Sequence, residues 1–204
     1  MARILINTKW IFPHFKLLKI VDSIVVWICI QFILYSVTID VTGNFQCICK
    51  PSLDKFILFI FKEYPAVSST SYVWIHHVAL PETETDYNYV RDEYVKYWDT
   101  AKAEHGVPYF PNVTMGWNST PRCSIESEWE PVGYPFMNTI GNNTPANFKA
   151  ALQLTKDKLL SDPNGPRILN INCWNEWTEG SYLEPDEVNG MGYLEAVKDV
   201  FLAK

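Results

Sequence analysis

Residues 173–185 read CWNEWTEGSYLEP, which sets Glu176 and Glu179 three positions apart among Trp174, Trp177 and Tyr182. Carboxylates prefer open water, and a carboxyl desolvated by indole rings has its pKa raised toward the range of a general acid. Paired carboxyl groups are the equipment of glycosidic-bond chemistry. One protonates the leaving oxygen and the other acts as base or nucleophile, about 5 Å apart in retaining enzymes and more widely spaced where a water must fit between them. Aromatic faces beside the pair suit a pyranose ring. Sequence does not set the gap, and the same stretch also reads as core tryptophans next to a solvated acidic turn.

Such a pair needs a scaffold that delivers it to a cavity. PRILNINCW (166–174) reads as a buried strand, so WNEWTEG emerges from its C-terminal end. Upstream, SYVWIHHVAL (71–80) reads as a β-rich run, and VPYFPNVTMGW (107–117) and YPFMNTIGN (134–142) as strands. DYNYVRDEYVKYWDTAKAEHG (86–106) predicts a helix, because Tyr87, Val90, Tyr94, Tyr97 and Trp98 recur at helical spacing and Gly106 follows as a stop. TPANFKAALQLTKDKLLSD (144–162) predicts a second, with Thr144 as N-cap and Pro145 at its first position, and GYLEAVKDVFLAK (192–204) a third. Strands alternating with amphipathic helices predict an α/β fold with a parallel sheet, doubly wound or closed into a barrel.

In either arrangement chemistry gathers in the loops at the C-terminal ends of the strands. Glu176 and Glu179 fall there, and so do Trp117, Asn118 and Arg122 after the 107–117 strand. These three can stack on or hydrogen-bond a sugar, or serve as plain loop residues. His76 and His77 adjoin on a presumed strand, so their side chains point to opposite faces and do not form a metal pair, although one can contact sugar hydroxyls. Tyr182 and Glu184, just past the turn, read as supporting groups or as structural caps.

Composition bounds the partners. Residues 1–70 carry seven Lys/Arg against four Asp/Glu, whereas 71–204 carry ten against nineteen, so the second part is acidic and unsuited to nucleic acid. Five cysteines without a Cys-x-x-Cys pair indicate neither a zinc knuckle nor a disulfide framework. The uncharged run at 24–39 follows Arg3, Lys9, Lys16 and Lys19, the layout of a signal-anchor, which predicts membrane association through residues 17–39 or entry to the secretory pathway. It is short for a span, and its Ile and Val content equally suits a signal peptide, a buried helix or a strand. Three sequons, at Asn112, Asn118 and Asn142, count only on the secretory route.

NCWNEWTEGSYLEPD, followed by GMGYLEAV, resembles the C-terminal signature of glycoside hydrolase family 99-like domains, a group that includes WbsX-type proteins. YFPNVTMGWNSTPRC (109–123) is similar to the preceding block of that family, and YVWIHH (72–77) to an earlier barrel strand. The resemblance implies a (β/α)8 barrel, a carbohydrate substrate that is mannoside-like or a polysaccharide, and neither cofactor nor metal. It implies that Glu176 acts as base on the sugar's own 2-hydroxyl, and that Glu179 is the general acid and then base, with retention. The candidate sugar contacts are Trp74 and His76, Trp117, Asn118 and Arg122, and Trp174, Asn175, Trp177, Tyr182 and Glu184.

A complete barrel takes about 250 residues, whereas the resemblance covers residues 71–204. The expected architecture is therefore a partial TIM barrel, roughly its C-terminal half. Residues 1–70 form a hydrophobic segment unlike the family, read as a signal-anchor or as part of a mis-assembled gene product. Two further readings stay open: a glycosyltransferase of surface polysaccharide biosynthesis, although the chain shows no Gly-rich phosphate loop or Asp-x-Asp motif, and an inactive, truncated carbohydrate-binding fragment.

Overall fold

The computed structural model describes residues 16–19, 25–28 and 68–202. Strand β1 (Lys16–Lys19) pairs antiparallel with β2 (Val25–Ile28). Strand β3 (Ser69–Thr70) leads through a 3-10 turn at Trp74–His76 to β4 (Glu84–Asp86) and helix α1 (Tyr87–Glu104). Strands β5 (Tyr109–Phe110) and β6 (Asn112–Thr114) form one extended path interrupted at Pro111, which has no N–H for a ladder. A 3-10 turn at Thr120–Arg122, strand β7 (Thr139–Gly141) and helix α2 (Pro145–Ser161) follow. Strand β8 (Ile168–Asn172) then gives way to a hairpin of β9 (Asn175–Glu176) and β10 (Ser181–Tyr182), and the chain ends its described course in helix α3 (Gly192–Phe201).

The pairing is largely parallel. β3 lies on β5, β6 on β8 in the register Val113↔Ile171, and β2 on the other side of β8 in the register Val26↔Leu169. A separate parallel pair, β4 with β7, is built from the segments that lead into α1 and α2. Helix α1 thus connects β3 to its parallel partner β5, and α2 connects β6 to its parallel partner β8, as βα repetition requires. Among the described residues the strands do not close into a barrel.

Each helix buries one stripe. In α1 it is Tyr87, Val90, Tyr94, Trp98 and Ala101, and in α2 it is Phe148, Ala151, Leu152, Thr155 and Leu159, both at three- and four-residue steps. Asp86 caps α1 by accepting from the Asn88 and Tyr89 amides, and Thr144 caps α2 by accepting from the Asn147 amide ahead of Pro145. Phe148 meets Tyr193 of α3 edge to face, with ring centroids 5.7 Å apart.

Of two expected strands one is absent and the other is shorter than its apolar run. Within 71–80 the chain turns, because the Trp74 amide donates to Thr114 Oγ1 and its indole N–H to the Asn112 carbonyl, 3.0 and 2.8 Å away. The histidines therefore sit in a turn rather than on a strand. Within 134–142 the strand is β7, preceded by an isolated antiparallel bridge of Phe136 with Gly133; Gly133 has a positive φ of 125° and Pro135 has no N–H. Of residues 17–39, the segments 17–19 and 25–28 are β-strand and the rest lie outside the described residues. Among the described residues no helix is long and apolar enough to cross a membrane.

Tyr94 joins α1 to β6: its hydroxyl lies 2.6 Å from the Tyr109 hydroxyl and accepts from the Asn112 amide at 2.9 Å, all within the core. Tyr94→Phe leaves that buried amide without an acceptor and is expected to cost about 1–3 kcal/mol, measured by urea unfolding.

Candidate active site

β6 and β8 end side by side, and their outgoing loops are tied at once. The Met115 amide donates to the Asn172 carbonyl at 3.0 Å, and the Asn118 amide to the Glu179 carbonyl at 2.7 Å. The Ser181 hydroxyl donates to the Gly116 carbonyl. Between β9 and β10 a 3-10 turn, Trp177–Glu179, ends at Gly180 with φ +61°. A Cβ there would stand 2.9 Å from Asn118 Cβ, so glycine meets both the left-handed backbone and the close approach of the two loops.

Glu176 stands at the N-cap of this turn and Glu179 is its last residue, and their carboxylates converge on one side chain. Arg122, from the turn after β6, reaches both. Its Nη2 donates to Glu176 Oε1 at 2.6 Å and stands 3.6 Å from Glu179 Oε1. Thr178 donates to the same Glu176 oxygen at 2.8 Å. Glu179 is 8 % exposed and accepts from the Tyr134 hydroxyl at 3.0 Å and from the Tyr72 hydroxyl at 3.5 Å.

Burial raises the Glu179 pKa; the Tyr134 hydrogen bond and the Arg122 charge oppose it, and the neighbouring Glu176 adds to it. Burial and then the Glu179 charge push the Tyr134 hydroxyl up to about 12, which keeps it a donor. Burial works against the Arg122 charge, but Tyr134, Glu179 and Glu176 together hold its pKa above the ordinary value. Two buried N–H groups nearby, Trp117 Nε1 and Arg122 Nε, have no acceptor among the described residues.

The expected contact residues divide. Trp177 is 43 % exposed, stacks on Tyr182 at 3.8 Å and 14°, and donates its indole N–H to Glu184 Oε2 at 2.8 Å. Asn118 is exposed, its side chain accepting from the Thr120 amide and hydroxyl, and Asn175 is exposed on β9. Trp174 is half-buried against the core. Trp117 is 4 % exposed with its ring centroid 6.3 Å from that of Tyr134. Trp74, expected to touch sugar, is instead 1 % exposed and stacked on Tyr94, because its indole anchors β6. His76 is exposed, while His77 stacks on Tyr97 at 3.9 Å, its pKa lowered to about 3 by burial and then by His76 and His105.

Tyr72 and Tyr134 were not singled out from sequence. Tyr72 lies two residues past β3, near a strand's C-terminal end, which was a usable signal; Tyr134 was hidden in a run read as strand. No group of three or more His, Cys, Asp or Glu among the described residues could hold a metal ion. A cavity of about 490 Å³ opens at the opposite ends of the strands, beside Pro108 and Pro166. Its charges pair with each other, Lys102 with Asp162 and Lys158 with Asp99, and that end of a βα array serves stability rather than chemistry.

The two carboxylates stand at the ends of parallel strands that alternate with helices, and sequence comparison supplies the family. Residues 43–197 match the family model described as "Glycosyltransferase WbsX". The chain belongs to this family, and its function is accordingly carbohydrate-related. Two proteins from Xanthomonas campestris pv. campestris, strains B100 and ATCC 33913, each described as "Uncharacterized protein WxcX", are 32 % identical to it over 90 residues. That match covers 44 % of this chain and 12 % of each relative, so the chain spans only a small part of their length. No solved structure matches significantly.

The raised Glu179 pKa has a signed consequence. An acid whose folded pKa is raised stabilises the fold fully below its unfolded value, near 4.5 here, and loses that contribution as pH rises through the folded pKa. Glu179→Gln removes this loss. Thermal melting from pH 4 to 8 should show the two proteins converging below pH 4.5 and the variant progressively the more stable above it.

Proposed function

We propose that this chain carries the acid/base pair of an enzyme that cleaves or transfers glycosidic bonds with retention, within the C-terminal part of a (β/α)8 barrel. Glu176 removes the proton from the sugar 2-hydroxyl, whose oxygen displaces the leaving group at C1, while Glu179 protonates the departing oxygen. Glu179 then takes a proton from the incoming hydroxyl as it opens the anhydro ring at C1, and Glu176 returns the proton to O2. Two inversions at C1 give net retention. Water as the incoming group makes the enzyme a hydrolase, and a sugar hydroxyl makes it a transferase, the activity named in the family's description.

The observation that carries this reading is the single Arg122 nitrogen shared by both carboxylates, with contacts of 2.6 and 3.6 Å. The two Oε1 atoms can be no farther apart than those contacts laid end to end, which supports the closer spacing of retaining pairs. The environments also differ in the direction the roles need. Glu179 is buried, hydroxyl-bonded and raised in pKa, as suits a general acid. The second Glu176 oxygen accepts no hydrogen bond among the described residues, which leaves it open to a substrate hydroxyl. The orphaned donors of Trp117 and Arg122 suit oxygen acceptors of a ligand or ordered water.

Glu179→Gln and Glu176→Gln are each expected to lower turnover of mannoside or exopolysaccharide substrates by about 10²–10⁴-fold while glycan binding survives. Turnover at the unmodified rate in either variant would overturn the assignment of that residue.

A further inference from the structure

The Trp177–Tyr182 pair stands beside the carboxylates but not among them. Glu176 and Glu179 both meet Arg122, whereas the Trp177 ring lies against Tyr182 and Glu184. An exposed tryptophan alone needs no explanation. This one is held flat. Tyr182 covers one face at 3.8 Å, Glu184 fixes the indole N–H at 2.8 Å, and Glu184's own amide donates to the Trp174 carbonyl at 3.1 Å. The open face is therefore a rigid apolar plane with a carboxylate at its rim, an arrangement that covers the C–H face of a pyranose and accepts from its hydroxyls.

Charge narrows the class of ring. Between residues 168 and 197 the chain has six Asp or Glu and not one Lys, Arg or His. Arg122, the cation at the site, is engaged by Glu176 and Glu179. A uronate, sugar phosphate or nucleotide-diphosphate sugar placed on Trp177 would meet like charge without a compensating cation.

We propose that the open face of Trp177 is a second sugar subsite, which seats an uncharged or amino-bearing pyranose adjoining the ring whose bond is processed, so that the substrate is a neutral or amino-sugar oligosaccharide. This rests on Glu176 and Glu179 being the reacting pair.

The test uses the full chain carrying Glu179→Gln, with and without Trp177→Ala or Trp177→Phe. Binding is measured by calorimetry to mono- and tetrasaccharides of mannan, glucan and chitosan, to tetragalacturonate and to UDP-hexoses. Neutral or amino tetrasaccharides should bind, Trp177→Ala should weaken them about tenfold while leaving monosaccharides unchanged, and Trp177→Phe should retain most of the affinity. Unchanged tetrasaccharide affinity in Trp177→Ala, equal loss for short and long ligands, preference for tetragalacturonate or UDP-hexoses, or no binding anywhere in the panel would each overturn the subsite. Turnover in the Glu179→Gln protein would overturn the reacting pair instead, and the Trp177 comparison would still be readable.

Discussion

Parallel pairing of β6 with β8 is the constraint from which the site follows. The register Thr114↔Asn172 brings both strands to an end together, and the Met115 amide extends the ladder by one bond to the Asn172 carbonyl. Loops leaving antiparallel neighbours would depart from opposite ends of the sheet. Here they leave from one end, and Asn118 and Ser181 lock them into a single surface through the Glu179 and Gly116 carbonyls. Arg122 thereby meets two carboxylates that lie 54 and 57 positions away in sequence.

Once the loops are joined, electrostatics separates two residues of the same type. Glu179 is withdrawn beneath Tyr134 and Tyr72, where the charged form loses water and the proton is held more tightly. Glu176 keeps the shorter contact to the guanidinium and a hydrogen bond from Thr178. A difference of environment, not of residue type, is how one site assigns acid and base among paired carboxylates.

The chain's place in the WbsX glycosyltransferase family rests on residues 43–197, a region that begins upstream of the family-like blocks at 72–77, 109–123 and 172–186. The strand Val25–Ile28 lies beside β8, where a sheet built from 68–172 alone would present an open edge.

The helices were legible in the sequence because their signals are local: the 3.6-residue spacing of Tyr87, Val90, Tyr94 and Trp98, the stop at Gly106, the cap at Thr144, and Pro145 at a first turn. The two glutamates were legible for the same reason, as were their strand-end position and the aromatic residues around them. Tertiary structure alone decided the rest. Trp74 and Trp177 are the same residue type, yet one is sealed beneath β6 by a hydrogen bond 38 positions distant and the other stays open on a hairpin. Tyr134 joins the site because Gly133 and Pro135 keep its run out of the sheet. Burial and pairing between distant segments fix these outcomes, and neither is a property of any short window of residues.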